Sequence, residues 1–151
     1  KIPQFDNPDL NQNFIYLDHI SDPGNMGTIL RTAVWFGIDQ MVLSDGCVDP
    51  FNPKVVRSSM GAHFQLSWIG HLEIHTLNNY TIIGADHRGA AIEPLGSFPE
   101  KWCLVMGNEA HGISENIKSV LDETMAIPKI GTGESLNVGV AMGILLNHLT
   151  K

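Results

Sequence analysis

Three glycine-containing segments carry the side chains in this sequence that could do chemistry. They are DPGNMGTILR at 22–31, GNEAHG at 107–112 and IGTGESLN at 130–137. Their polar groups are amides, a guanidinium, a carboxylate and a hydroxyl, which can bind phosphates and hydroxyls and orient a reacting atom. The candidate residues are Asn25, Arg31, Glu109, Ser135 and Asn137.

Glycine in these segments lets backbone amides approach a ligand closely, and a helix that begins there favours an anion. Each segment alone is a weak signal, because a tight turn from strand to helix needs glycine whatever its function. The first segment has G-x-x-G at Gly24 and Gly27 instead of G-x-G-x-x-G, and the third lacks the lysine of a phosphate-binding loop. The sequence therefore argues against a dinucleotide or nucleoside triphosphate site.

Strands and helices alternate along the chain and would place these segments. Apolar runs predict six strands, at 14–18, 41–44, 64–69, 81–86, 102–107 and 124–128. Helices are expected from Met26 after a break at DPGN, after Pro53, over 71–77 and 113–121, and in the final segment 135–149. The pattern predicts an α/β fold with a mainly parallel six-stranded sheet and helices on both faces. Ligands bind at the carboxyl ends of such strands, where the three segments would meet.

Length and composition predict one domain with a single core. The chain has 151 residues, of which 43% are hydrophobic and 17% charged, and no apolar run is long enough to cross a bilayer. Cys47 and Cys103 form no CxxC pair, and no leader-like segment opens the chain. A cytoplasmic protein without a membrane segment is therefore expected.

The formal charge of −7 argues against a nucleic-acid binder, since such proteins usually carry an excess of Lys and Arg. A local basic cluster could still form from Lys54, Arg57, Arg88 and Lys129. Residues 1–12 are polar and are expected to be a linker, before which an RNA-gripping domain could lie. Residues 13–151 would then be the catalytic domain.

The order and joint content of the three segments are more specific than any one of them. They contain N-x-G-x-I-x-R from Asn25, G-N-E-x-x-G from Gly107 and I-P-x-x-G-x-x-x-S-L-N-V from Ile127. Together these resemble the three motifs of the SpoU family of SPOUT RNA methyltransferases, over residues 14 to 149. The resemblance implies S-adenosylmethionine-dependent methylation of a ribose 2′-hydroxyl in RNA. It also implies a homodimer with sites at the subunit boundary and a deep C-terminal trefoil knot, which breaks the general rule against threaded chains.

The resemblance assigns roles to the candidate residues. Arg31 would grip the phosphate beside the target nucleotide and favour the developing alkoxide, because a guanidinium is a poor base. Asn25 would bind Arg31 or RNA, or cap a helix. Glu109 would order Arg31, Asn25 or backbone amides. Ser135 and Asn137 would hold the ribose, a phosphate or the cofactor carboxylate, although Ser135 could instead cap the last helix and Asn137 satisfy a buried amide.

The cofactor, S-adenosyl-L-methionine, would be held by backbone and apolar contacts. The residues that match the family there are Gly107, Ile127 and Leu136, with Ala85 after the fourth strand. Gly139 departs from the serine or alanine common after the S-L-N-V run, which would loosen the final helix by up to about 1 kcal/mol.

No metal site is predicted. His71 and His75 are four residues apart but are not part of an H-E-x-x-H motif. The expected partner is RNA, and ribosomal RNA is favoured over transfer RNA. The sequence does not identify the target nucleotide. Two alternatives stay open, which are a non-catalytic RNA-binding or assembly module of this fold and a dinucleotide-dependent oxidoreductase.

Overall fold

The computed structural model describes residues 7–92 and 99–151, so part of the predicted linker, residues 1–6, lies outside the described residues. Six strands form one sheet. They are β1 (Phe14–Leu17), β2 (Gln40–Leu43), β3 (Trp68–Gly70), β4 (Thr81–Ala91), β5 (Trp102–Met106) and β6 (Glu123–Ala126). Their order is β3-β2-β1-β5-β4-β6, and each neighbouring pair is parallel. The predicted α/β sheet is confirmed, and its described strands are all parallel.

Both faces of the central strands are buried. On β1, Ile15 and Leu17 join one apolar cluster, whereas Phe14 and Tyr16 join another on the opposite face. All four residues of β1 and all five of β5 are buried. Strands covered on both sides are continuous apolar runs in sequence, which is why the sequence predicts these two so directly.

Three helices cover the face of the sheet to which Ile15 points. They are α1 (Pro23–Trp35), α2 (Pro53–Ser58) and α4 (Val138–Leu149). Two glycines let them pack closely, since a Cβ at Gly27 would lie 1.7 Å from Ser58 Oγ, and a Cβ at Gly139 would lie 2.8 Å from Thr28 Cγ2. Gly139 thus has a packing role against α1 that the sequence did not predict.

Helix α1 begins earlier than the sequence predicts. Asp22 is its N-cap and accepts a hydrogen bond from the Asn25 amide at 2.8 Å, and Pro23 is the first helical residue. The expected break at DPGN is wrong, because Asp before Pro is a helix start in which proline loses no needed hydrogen bond. Asn25 is therefore in the first turn and is not the cap.

The opposite face carries shorter elements than predicted. Of the expected helix at 71–77, only Ile74–Leu77 forms a 3-10 turn, and the expected helix at 113–121 is reduced to α3 (Glu115–Lys118).

The predicted strand at 64–69 is wrong at its start, since Ala62–Gln65 is a 3-10 turn after Gly61 with φ of 83°. Strand pairing begins only at Trp68, opposite Gln40.

Strand β4 is longer than the predicted 81–86 and contains a bulge. Ala85 and Ala90 both pair with Met125, so the backbone between them leaves the ladder. Residues 86–89 therefore protrude at the carboxyl edge, a place where bulges often direct side chains into a site. No helix in the described part of the chain is long and apolar enough to cross a membrane.

Candidate functional site

A cavity of about 750 Å³ opens at the carboxyl ends of β4, β5 and β6. It is bordered by α1, by the second loop, residues 107–114, and by the third loop, residues 127–137. All four residues predicted to contact the cofactor line it, namely Ala85, Gly107, Ile127 and Leu136. Four of the five predicted catalytic residues also line it, namely Asn25, Glu109, Ser135 and Asn137.

Glu109 joins the second loop to the start of α1. Its carboxylate accepts hydrogen bonds from the amides of Ser21 and Asp22 at 3.5 and 3.2 Å and from the Ser21 hydroxyl at 3.4 Å. It also accepts from Asn25 Nδ2 at 3.4 Å. These contacts are long, so the carboxylate sits among several donors without being held tightly by one. Of the partners predicted for Glu109, Asn25 and backbone amides are present and Arg31 is not.

Asn25 and Asn137 connect the first helix to the third loop. Asn137 Nδ2 donates to Asn25 Oδ1 at 2.9 Å, while Asn137 Oδ1 accepts from the amides of Gly139 and Val140 at 2.9 and 3.3 Å. Asn137, not Ser135, is thus the N-cap of α4. Together with Glu109, these side chains form a continuous hydrogen-bonded chain across the three segments that the sequence singled out.

The second loop is a tight turn that requires glycine at its first position. A Cβ at Gly107 would lie 2.4 Å from the Gly112 carbonyl carbon and 2.5 Å from the Ile113 nitrogen. Asn108 and Gly112 exchange two backbone hydrogen bonds of 2.9 and 3.0 Å, which fixes those atoms. The Asn108 side chain adds bonds to the amides of Ala110 and His111. The cavity wall at this point is therefore rigid backbone.

The third loop supplies exposed apolar side chains beside polar ones. Ile130 is 99% exposed and Leu136 is 51% exposed, and both line the cavity. Ser135, which lies between these two residues in sequence, is also exposed. Uncovered apolar side chains in a concave site favour a ligand with an apolar surface.

Arg31 lies apart from the other predicted catalytic residues. It is exposed on α1 and does not line the cavity. Arg31 is six positions after Asn25, which corresponds to about 9 Å along the helix axis and a rotation to a different face. Within residues 7–92 and 99–151 its side chain makes neither a hydrogen bond nor an ion pair, so the predicted contact with Asn25 is not formed there.

The bulge of β4 brings a charged pair to the cavity. Arg88 Nε lies 3.3 Å from Asp86 Oδ1, and this guanidinium holds the pKa of Asp86 below its usual range. Lys129 also lines the cavity and donates to the Gly133 carbonyl. Lys54 and Arg57 lie outside that lining, on α2. The four predicted basic residues thus divide between two parts of the surface.

Sequence reasoning missed several residues that shape this site. Ser21 and Asn108 support Glu109 and its loop, and the bulge residue Asp86 pairs with Arg88. The Asp-Pro helix start was a usable signal for the region of Ser21, but nothing in the sequence marks a four-residue bulge inside a strand. In the described ranges, no three metal-ligating side chains cluster closely enough to hold an ion.

Comparisons with known proteins agree with this architecture. A sequence model of the SpoU rRNA Methylase family matches residues 12–147. The chain is 36% identical over 140 residues to RlmP of Bacillus subtilis, named as a 23S rRNA guanosine 2′-O-methyltransferase, covering 89% of this chain and 56% of RlmP. The chain spans about half the length of the curated relatives that it matches.

Two solved structures share the fold. The SpoU methyltransferase AviRb from Streptomyces viridochromogenes, in complex with AdoMet, has a TM-score of 0.82 and 26% identity, covering 93% of this chain and 60% of AviRb. An AdoMet-bound rRNA methyltransferase from Sinorhizobium meliloti has a TM-score of 0.81 and 28% identity, covering 94% of this chain and 57% of that protein. On its motifs, sheet order and these matches, the chain belongs to the SpoU rRNA methylase family.

Proposed function

We propose that this protein transfers a methyl group from S-adenosylmethionine to a ribose 2′-hydroxyl of RNA. The observation that carries the proposal is the hydrogen-bonded chain of Glu109, Asn25 and Asn137 at the rim of the 750 Å³ cavity. It joins three segments that are far apart in sequence, and it leaves amide and carboxylate groups facing one space. Family membership supports the same reaction.

The cavity suits the proposed cofactor in size and lining. Its volume lies within the range of about 300–1,000 Å³ usual for small-ligand sites. Ile127 and Leu136 provide apolar surface for the adenosine, and Gly107 lets the backbone come close. When bound, S-adenosylmethionine supplies an electrophilic methyl group on a sulfonium. AviRb and the Sinorhizobium meliloti protein carry AdoMet, which supports the assignment.

The protein side chains then have to place and polarise the RNA hydroxyl. Asn25 and Asn137 present amide groups that can hold the ribose, and Ser135 offers a hydroxyl on the same rim. Glu109 accepts hydrogen bonds from Ser21, Asp22 and Asn25, and so holds the second loop against the start of α1. Positioning of this kind supplies much of the acceleration in a bimolecular displacement. Arg31 is proposed to bind the adjacent phosphate and to stabilise charge on the ribose oxygen.

Homodimerisation is proposed because Arg31 stands away from the cavity of its own chain. It lies on the exposed part of α1, and α1 also carries Trp35, which is 82% exposed. Large exposed apolar side chains often mark an interface, and Val140 on the neighbouring α4 is 51% exposed. A second copy seated on α1 and α4 would bring Arg31 of one protomer towards the site of its partner. Light scattering should then give the mass of two chains, and Trp35→Glu should give one.

The proposal extends to three features predicted from the resemblance. Residues 13–151 would be the methyl-transferring domain, and its C-terminal segment would pass through a trefoil knot. Ribosomal RNA is the favoured substrate, in line with the name of RlmP. The cytoplasm is the proposed compartment.

The test is transfer of a labelled methyl group from S-adenosylmethionine to total deproteinised RNA. The protein is expressed from its complete reading frame, with Arg31→Ala as the matched variant. We expect label in RNA with wild type, a large loss with Arg31→Ala, and S-adenosylmethionine binding by both. Binding of NAD instead would favour the oxidoreductase alternative, and RNA binding without labelling would favour the non-catalytic module.

A further inference from the structure

His19, two residues beyond β1, adopts a backbone conformation that is costly for a residue with a side chain. Its φ is 58°, in the left-handed region. Its amide donates to Ser44 Oγ at 2.9 Å, and its carbonyl accepts from Asn108 Nδ2 at 2.6 Å. Loops from two neighbouring strands thus hold a conformation that glycine would adopt more cheaply. Backbone strain of this kind clusters at functional positions.

A buried carboxylate orients the His19 imidazole. Asp18 is 1% exposed, its Oδ2 accepts from the Ser114 amide at 2.7 Å, and its Oδ1 lies 2.9 Å from His19 Nδ1. A carboxylate can only accept hydrogen bonds, so Nδ1 carries the ring proton. When the ring is neutral, this pairing leaves Nε2 without a proton, as a hydrogen-bond acceptor of fixed direction.

Gly46 lies against the edge of the His19 ring. A Cβ at Gly46 would lie 2.6 Å from His19 Cδ2 and 3.1 Å from Nε2, so any other residue would cover the ring edge. The His19 side chain is 54% exposed. Gly46 also lines a second cavity of about 360 Å³ at the carboxyl end of β2. The His19 ring thus lies against Gly46, a residue of this second cavity's wall.

The second cavity lies on the same sheet edge as the first. Since β1 separates β2 from β5, two strand spacings, or roughly 10 Å, lie between the ends of β2 and β5. That distance is short enough for neighbouring nucleotides of one RNA strand to reach both cavities. Asp45 and Asp49 line the second cavity, which disfavours a phosphate there and favours a base, whose amino and imino groups donate hydrogen bonds.

We propose that His19 contacts the RNA directly, its Nε2 accepting a hydrogen bond from an N–H of the base next to the methylated nucleotide. This rests on the proposed function. His19 would then help to select the sequence around the target, and Asp18 would be a positioning residue that fixes the ring.

The test compares steady-state methylation by wild type, His19→Gly and the control His75→Gly, with a transcript that spans the mapped methylation site. His19→Gly removes the ring and relieves the backbone. We expect its KM for RNA to rise about three- to tenfold, the loss of one hydrogen bond. Its affinity for S-adenosylmethionine should be unchanged. His75 is exposed on a 3-10 turn and lines neither cavity, and its variant should match wild type in KM.

Asp18→Asn supplies a second, independent readout. The asparagine oxygen can still accept from Ser114, while its amide group faces His19 Nδ1 and reverses the ring tautomer, so that Nε2 becomes a donor. We expect the KM for RNA to rise here as well. An unchanged KM for RNA in His19→Gly, with normal product, would overturn this inference alone. Absence of any 2′-O-methyl product with wild type would overturn the proposed function and this inference with it.

Discussion

Asn137 makes two kinds of contact that substitution can separate. Its Oδ1 caps α4 through the amides of Gly139 and Val140, and its Nδ2 donates to Asn25. Asn137→Ser keeps an oxygen that can cap the helix but has no amide to reach Asn25. Asn137→Ala loses both contacts. Comparison of these two variants therefore distinguishes a structural role of Asn137 from a role in the site.

The expected magnitudes follow from these contacts. Loss of an N-cap costs about 1 kcal/mol, which in a chain of this length lowers Tm by about 2–4 °C. Asn137→Ala should show that shift, and Asn137→Ser should stay within about 1 °C of wild type, because serine is a comparable cap. Displacing a positioning group by about 1 Å can cost 100-fold in rate, so kcat/KM should fall about 100-fold in both variants.

Two assays check this, thermal unfolding followed by circular dichroism and methyl transfer at several RNA concentrations. Both variants should lose activity, and only Asn137→Ala should lose stability. Full activity in Asn137→Ser would refute the assignment of Asn137 to the site and leave it a helix cap. An unchanged Tm in Asn137→Ala would refute the cap.

Four further outcomes are expected. Gly107→Ala should lower stability by about 1–3 kcal/mol and abolish S-adenosylmethionine binding in calorimetry, because its Cβ would meet fixed backbone; normal binding would contradict this. Glu109→Gln should reduce kcat at least about tenfold with little change in Tm, and an unaltered kcat would show that the carboxylate is dispensable. Burial raises the pKa of the Cys103 thiol, so iodoacetamide at pH 8 should label Cys103 only after unfolding in urea, and rapid labelling of the native chain would disprove this. Arg88 lowers the pKa of Asp86, so the stability that Asp86 adds over Asp86→Asn should be present above about pH 4 and disappear as pH falls through its lowered folded-state pKa; a difference that is constant with pH would count against the ion pair.

Much of the fold could be predicted because burial leaves a direct mark on the sequence. Strands β1 and β5 are covered on both faces and are therefore unbroken apolar runs. Parallel strands end at one edge, so the meeting of the three glycine-containing segments followed from the alternation of elements. Asn25, Glu109 and Asn137 are accordingly found together.

The shorter elements depended on contacts that periodicity does not reveal. Residues 71–77 were expected to form a helix, yet only a 3-10 turn forms there, although Leu72, Ile74 and Leu77 all pack against the sheet. Periodicity places the start of α1 too late, because DPGN interrupts the apolar pattern, whereas Asp22 and Pro23 form a cap and a first turn. The bulge between Ala85 and Ala90 is a tertiary feature, set by pairing with Met125.

Within the site, the sequence predicted which residue types are present more reliably than it predicted where their side chains point. Ser135 and Asn137 were both candidate polar groups, but only the structure shows that Asn137 is the cap. Arg31 fits the motif, yet the helix turns it away from Asn25. His19 gave no signal in sequence, since its left-handed φ and its link to Asp18 arise from loops that meet only in the folded chain.

The most direct test of the central claim is the alkali stability of the methylated product. RNA labelled by the wild-type protein is hydrolysed in alkali, which cleaves each linkage whose ribose has a 2′-hydroxyl. Transfer to that oxygen predicts label in alkali-resistant dinucleotides, and loss of the label with Arg31→Ala. Label released in single nucleotides would place the methyl group on a base and contradict the account.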